Sequence, residues 1–221
     1  AAALEWAQSL NPLSGGDQAL EGALQGLAHN DPAAAAATLS QIPHGSDSHD
    51  FVREIAHQWA EEDVASTLAW AETLPERDQV HAMEALAHTW AQQDPQSAAT
   101  WAEGLPPNSE VNRHAIGEVA NQWAEADPLA ASKWIGSLPA GELRDMAAER
   151  LVEHITPSDP HAAFQWAMSA SNVEHQTDMM HHVLERWHEN DPQAAQATFD
   201  AVSLSGEQRE RLNDVFQKPN E

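Results

Sequence analysis

The sequence contains no cysteine. This excludes a disulfide framework, a thiolate metal site and a cysteine nucleophile. Basic residues are also scarce: 10 Lys and Arg stand against 35 Asp and Glu, for a formal net charge of -25. Nucleic acids and anionic lipid surfaces are bound by basic patches that release counterions. The composition therefore argues against nucleic acids and anionic lipids as partners and favours a basic protein or peptide, a cation or a neutral polymer. The alternative is that the negative charge only keeps the protein soluble.

Long hydrophobic runs are absent too. No segment approaches the roughly 20 apolar residues that span a bilayer, so we expect no membrane insertion. The sequence begins with Ala1 rather than Met, and we expect no signal peptide among its first residues. Export followed by signal cleavage would explain both the N-terminal Ala1 and the lack of cysteine. A domain cut from a longer chain would explain them as well. We expect an exported bacterial protein, periplasmic or extracellular.

An internal repeat runs through the chain. Asp recurs at positions 31, 63, 94, 127, 159 and 191, and Pro follows five of the six, the exception being Asp63. Fixed periods between about 20 and 50 residues are typical of stacked supersecondary units. The nine tryptophans occupy two positions of this frame: Trp59, Trp90, Trp123 and Trp187 four residues before the Asp, and Trp70, Trp101, Trp134 and Trp166 seven after it, with Trp6 in a partial N-terminal copy.

The pattern predicts two helices in each repeat. Before the Asp, apolar residues recur at helical spacing, as in Met83, Leu86 and Trp90, and we name this segment helix A. The stripe after the Asp, such as Ala98 to Leu105, is helix B.

The boundaries of helix B have physical explanations. An Asp side chain accepts hydrogen bonds from first-turn amides, and Pro at the first helical position loses no needed donor. A residue before Pro is pushed out of the helical region, so the pairs Leu74-Pro75, Leu105-Pro106 and Leu138-Pro139 end the helix. One small position would let neighbouring helices approach closely, and it is occupied by Ala35, Ala98, Ala131, Ala163 and Ala195.

Helical hairpins of this period resemble the tetratricopeptide, HEAT and related α-solenoid repeats over nearly the whole chain. The period is near 32 rather than the roughly 34 of the tetratricopeptide repeat, whose Gly and Tyr pattern is also missing. The Trp-Ala-x-x-Asp-Pro frame, as in Trp90 to Pro95, is most similar to repeats of large uncharacterised bacterial proteins, many of them exported. This resemblance implies a protein-binding or scaffolding role and supplies no catalytic residues.

Two recurring features have alternative interpretations. The row of Asp could bind cations, but the capping position explains each carboxylate without a ligand. The tryptophans could form a stacking groove for sugars or peptides. They share stripes with Leu, Ile and Ala, so we predict that most are core residues and that Trp90 and Trp123 are mostly buried between successive hairpins.

Histidines form candidate metal sites. His81, Glu84 and His88 stand at i, i+3 and i+7 and share one face of helix A. Two His and one carboxylate are a metal-competent set, and His114 would neighbour His81 on the next repeat. We therefore keep His81, Glu84 and His88 as candidate metal ligands, against the alternative of a solvated polar face. A second such cluster consists of Glu174, His175, Asp178, His181 and His182.

Catalytic signatures are missing from the sequence. It contains no Gly-x-Ser-x-Gly, His-Glu-x-x-His, phosphate-binding Gly loop or EF-hand loop. We therefore expect no enzyme, no catalytic residue and no cofactor. A closed α/α toroid with carboxylates in its central pocket is the one architecture that could hold an active site. Enzymes of that shape carry longer functional loops than this frame allows.

The two ends of the sequence predict half-repeats. Leu4, Trp6 and Leu10 match a helix B without its helix A, whereas Gly206 to Gln217 matches a helix A without its helix B. The candidate interface residues Trp6, Leu212 and Phe216 could stack head-to-tail between subunits, giving a filament or a ring. The alternative is that each half-repeat caps its own neighbouring hairpin.

Together these patterns predict an all-α fold, a single α-solenoid domain over residues 1–221 made of about six 32-residue hairpins with a half-repeat at each end. The expected function is a non-enzymatic scaffold that binds a protein or peptide through an acidic extended surface. A self-assembling structural subunit is the alternative. A toroid enzyme or a metal-binding protein is the third interpretation.

Overall fold

The computed structural model describes residues 16–39 and 48–217, and these residues form thirteen α-helices and one short 3-10 helix. In chain order the helices are α1 (Gly16–Asn30), α2 (Pro32–Leu39), α3 (Ser48–Glu62), α4 (Val64–Ala71), α5 (Glu76–Gln93), α6 (Pro95–Gly104), α7 (Glu110–Ala126), α8 (Pro128–Ser137), α9 (Glu142–Ile155), α10 (Pro160–Met168), α11 (Val173–Asn190), α12 (Pro192–Ala201) and α13 (Gly206–Asn213), followed by the 3-10 helix Asp214–Phe216. Odd-numbered helices from α1 to α11 are the predicted A helices, and even-numbered helices from α2 to α12 are the predicted B helices.

Helices pack against their neighbours in sequence order. The chain divides into two compact units, residues 1–118 and 119–221. In the first unit each helix from α1 to α5 contacts the next one in the chain, and α3 also contacts both α1 and α5. In the second unit each helix from α8 to α11 contacts the next one, and α11 also contacts both α9 and α13. This packing of successive hairpins confirms the predicted all-α solenoid class, whereas the single domain over residues 1–221 stays a prediction.

The recurring Asp caps helix B in all six repeats. Each carboxylate accepts a hydrogen bond from the backbone amide three residues later, as in Ala130 N to Asp127 Oδ1 at 3.0 Å. The same bond forms at Asp31, Asp63, Asp94, Asp159 and Asp191. The capping interpretation is therefore confirmed, and the carboxylates are already occupied by the first-turn amides that they compensate.

Two of these caps carry an additional hydroxyl donor. At Asp63, the amide and the hydroxyl of Ser66 lower the pKa of the carboxyl below its ordinary value of 3.8. At Asp94, the Ser97 hydroxyl at 2.6 Å is the larger cause of a lowered pKa, followed by the Ser97 amide at 3.1 Å. Hydrogen bonds to the charged form of a carboxyl stabilise that form, so both caps stay ionised at lower pH than an ordinary aspartate.

The predicted helix ends and the small position also agree with the structure. α6 and α8 end immediately before Leu105 and Leu138, while α4 ends at Ala71, three residues earlier than Leu74, because a turn follows it. The five alanines at the small position are completely buried, as is Thr67 in the repeat that departs from Ala. Side chains of this size allow the backbones of packed helices to approach closely.

The tryptophans in the described residues are mostly, but not completely, buried. Only Trp134 and Trp187 are buried among the eight tryptophans in the described residues, and Trp90 and Trp123 are half-buried. The indoles pair within a hairpin rather than between hairpins, with ring centroids 5.9, 5.6 and 5.5 Å apart in the pairs Trp59–Trp70, Trp90–Trp101 and Trp123–Trp134. Trp59, Trp70 and Trp101 pack against the hydrophobic core of the first unit while part of each ring stays exposed.

The C-terminal half-repeat packs against its own chain. Leu212 is fully buried, and the half-buried Phe216 ring lies 5.1 Å from the rings of both Phe199 and His188. The residues that this half-repeat exposes are all polar: Glu207, Glu210, Arg211, Asp214 and Gln217, together with Gly206 at its start. Trp6 and the N-terminal half-repeat lie outside the described residues. Head-to-tail contact through Trp6, Leu212 and Phe216 stays a prediction.

Within residues 16–39 and 48–217, no helix combines the length and the apolar character that crossing a bilayer requires.

Candidate binding groove on the A helices

The polar faces of three consecutive A helices form the candidate site. On α3, Asp50, Arg53, Glu54 and His57 recur at helical spacing, opposite an apolar stripe that includes the fully buried Ile55. Glu84 and His88 lie on the corresponding face of α5, and Glu118 lies on α7. Each helix buries its apolar stripe, so the polar stripe is left at the surface.

These faces enclose an open cavity of about 340 Å³, which we name the A-helix groove. Its lining consists of Asp50, Arg53, Glu54, His57, Glu84, Ala85, His88 and Glu118. Among these described residues, four carboxylates stand against a single guanidinium. The groove therefore carries a local excess of negative charge in a chain that is acidic overall.

Contacts between repeats hold the side chains of the groove in place. Glu118 Oε2 lies 3.1 Å from His88 Nδ1, and Glu84 Oε2 lies 3.7 Å from Arg53 Nη2. His57 Nδ1 is 2.7 Å from the Thr89 hydroxyl. Each pair joins one A helix to the next, at a separation of about one repeat. The arrangement depends on the stacking of hairpins and not on any single helix.

The carboxylates of the groove remain accessible despite these contacts. The Glu84 and Glu118 side chains are each 28% exposed, and Asp50 and Glu54 are exposed. Ion pairs between partly solvated side chains contribute little, typically about 0 to 1 kcal/mol. A basic group on a partner can therefore compete with Arg53 and His88 at modest cost.

The predicted metal ligands are close but do not converge on one point. His81 Nδ1 lies 3.8 Å from Glu84 Oε2, whereas His88 turns to Glu118 and to Gln92. The predicted neighbour His114 approaches the same carboxylate, with Nδ1 3.8 Å from Glu84 Oε1. No group of three or more His, Asp or Glu in the described part of the chain has a metal-holding arrangement. Metal binding by His81, Glu84 and His88 stays a prediction.

The second histidine cluster belongs to the other unit. Asp178 Oδ1 accepts a 2.6 Å hydrogen bond from Arg211 Nη2, and His175 Nε2 lies 3.9 Å from Glu149 Oε2. Asp178 and His181 line a cavity of about 320 Å³ together with Thr177, Arg211 and Asp214. Arg211 on α13 offsets much of the negative charge of Asp178 and Asp214. This cavity therefore differs in charge from the A-helix groove.

The partners of the groove residues could not be read from one helix. Sequence spacing places Glu84 and His88 on one face, but the side chains that approach them come from positions roughly 30 residues away. The repeat frame is the signal that could have found them, because equivalent faces of successive A helices become neighbours when hairpins stack.

Comparisons with protein-family models, with curated proteins and with solved structures return no match to this chain. The function is therefore argued from the residues themselves.

Proposed function

We propose that this protein is a non-enzymatic helical-repeat module that binds a basic peptide or protein segment in the A-helix groove. One observation carries the proposal: four partly accessible carboxylates, contributed by three successive A helices, line one groove that contains a single guanidinium. Stacked repeats commonly use such extended surfaces for recognition. Charge complementarity of this kind steers association and selects partners by sign.

The net charge of -25 supports the same class of partner. It repels nucleic acid and anionic lipid and attracts polycations. The resemblance to Trp-Ala-x-x-Asp-Pro repeat proteins supports it as well, because that resemblance implies binding or scaffolding.

The test uses a fluorescently labelled peptide of alternating Lys and Ala, with a Glu and Ala peptide of equal length as its counterpart. Binding to the full chain is measured by fluorescence anisotropy at about 0.1 M ionic strength, where distant surface charges are largely screened. We expect the basic peptide to bind and the acidic peptide not to bind.

Two triple variants with the same change in charge locate the interaction. Glu54→Gln, Glu84→Gln and Glu118→Gln together neutralise the groove. Glu62→Gln, Glu72→Gln and Glu76→Gln neutralise three exposed carboxylates of the same unit that do not line it. We expect the groove variant to bind about tenfold more weakly, or about 1.4 kcal/mol, and the control to bind almost as the wild type. Equal losses in both variants, or no binding by the wild type, would refute the proposal.

A further inference from the structure

A second, apolar cavity lies in the first unit. Its volume is about 470 Å³, which is within the range of small-ligand sites. The lining comes from α2, α3, α4 and the start of α5: Ala33, Ala36, Ala37, Leu39, Val52, Trp59, Trp70, Thr73, Leu74, Pro75 and Asp78. We name it the tryptophan cavity. No residue lines both this cavity and the A-helix groove, so the two are separate sites.

The cavity arises where a helix of small side chains faces a tryptophan pair. α2 contributes only alanines and Leu39 to the lining. At the frame position where later B helices carry a tryptophan, α2 has Thr38. Across the cavity, the half-buried indoles of Trp59 and Trp70 lie with centroids 5.9 Å apart and planes tilted by 40°. Alanine cannot reach these rings, so indole surface is left to face open space.

One acidic side chain belongs to the described lining. Asp78 is only 6% exposed and is the one ionisable residue among the described residues that line the cavity. It lies in the first turn of α5, where helix amides favour a carboxylate. Thr73 is the other polar residue in this described part of the lining, which includes neither Lys nor Arg.

Aromatic faces beside a carboxylate are the chemistry that recognises organic cations. A cation over the face of an indole is attracted by the ring quadrupole, and Trp is the strongest of the aromatic residues in this respect. The attraction grows as the cation is desolvated, and quaternary ammonium groups carry apolar methyls that fit an apolar lining.

We propose that the tryptophan cavity binds an organic cation, with its ammonium group against Trp59 and Trp70 and its charge balanced by Asp78. This goes beyond the proposed recognition of a basic segment, because it assigns another site and a ligand that is both apolar and cationic. The same chemistry could be offered by a free quaternary amine or by a methylated lysine of a polypeptide.

The direct test compares choline with 3,3-dimethyl-1-butanol, its neutral isostere. Binding to the full chain is followed by NMR through the indole N–H signals of Trp59 and Trp70. We expect choline to bind at least about tenfold more tightly than the alcohol. Equal affinities, or no shift of either indole signal with choline, would overturn the proposal.

Variants separate charge from shape. Asp78→Asn keeps the size of the side chain and should weaken choline binding about tenfold while leaving binding of the alcohol unaffected.

Ala37→Leu should fill the cavity from α2 and weaken the binding of both compounds. Ala69→Leu is the matched control, because Ala69 has the same exposed frame position on α4 and does not line the cavity. If Asp78→Asn does not fold, the Ala37→Leu and Ala69→Leu comparison still decides the outcome. Equal choline affinity in these two variants would overturn the proposal.

A peptide arm identifies the source of the cation. A short peptide with one trimethyllysine is compared with the same peptide carrying norleucine, and choline is added as competitor. Tighter binding of the trimethyllysine peptide than of choline would identify a polypeptide side chain as the ligand, whereas weaker binding would identify a free amine. Binding of the norleucine peptide as tightly as the trimethyllysine peptide would contradict recognition of a cation.

Discussion

Removing one indole of a tryptophan pair should destabilise the protein substantially. Trp90 on α5 and Trp101 on α6 are both half-buried, with centroids 5.6 Å apart and planes 35° apart. Roughly 150 Å² of buried indole surface at about 25 cal/mol per Å², less the part that alanine retains, corresponds to about 3 kcal/mol. Trp90→Ala and Trp101→Ala should each cost this amount. The magnitude lies at the lower end of the range for core tryptophans because part of each ring stays exposed.

Pairing adds an energy that only a double-mutant cycle isolates. Offset aromatic pairs contribute about 0.5 to 1.5 kcal/mol beyond their buried area, so the double variant should be less destabilised than the sum of the single ones by that amount. Urea unfolding is followed by far-UV circular dichroism and fitted to a nearest-neighbour repeat model. The control cycle is Trp59→Ala with Trp101→Ala, whose rings belong to different pairs. Single-variant losses under about 1 kcal/mol, or equal coupling in both cycles, would refute the reasoning.

Three further outcomes are expected. Asp127→Ala should cost about 1 kcal/mol of unfolding free energy through the lost cap, whereas Asp127→Asn, which still caps, should cost less in the same urea experiment. The folded-state pKa of Asp94 lies below its ordinary 3.8, so its stabilisation is complete above the unfolded-state pKa and is lost as pH falls through the folded-state value. Ser97→Ala removes the larger cause of this shift and should raise the Asp94 pKa in an NMR titration; an unchanged pKa would contradict the assignment. Ala131→Leu places a larger side chain at a completely buried position and should cost about 1 to 3 kcal/mol, which thermal unfolding can check against Ala69→Leu at an exposed one.

The parts of the fold that sequence predicts are those with local causes. Asp127 caps α8 because an aspartate before a helix accepts amide hydrogen bonds, and the helix stops before Leu138 because Pro139 follows. The buried alanines were predictable from one recurring position. Each of these features repeats at the same place in the frame, so a single chain supplies several independent copies of the signal.

The remaining features depend on geometry between helices. The spacing of Trp90 and Trp101 did not reveal that they pair with each other, since that contact needs the crossing of α5 and α6. The same limit applies to the approach of Arg53 to Glu84 from the preceding repeat, whereas the repeat frame did predict that His114 lies beside this face. A tryptophan groove was considered from sequence only as an alternative, and the position of the tryptophan cavity could not be predicted because it depends on which side of α2 faces the next hairpin.

The measurement that tests the central proposal most directly is zero-length carbodiimide cross-linking of the Lys and Ala peptide to the full chain, mapped by mass spectrometry. This reaction joins amines only to carboxylates in direct contact with them. The account predicts cross-links at Glu54, Glu84 and Glu118 in the A-helix groove. Cross-links concentrated at Glu72 and Glu103, which follow or lie on B helices, or spread evenly over the acidic surface, would contradict it.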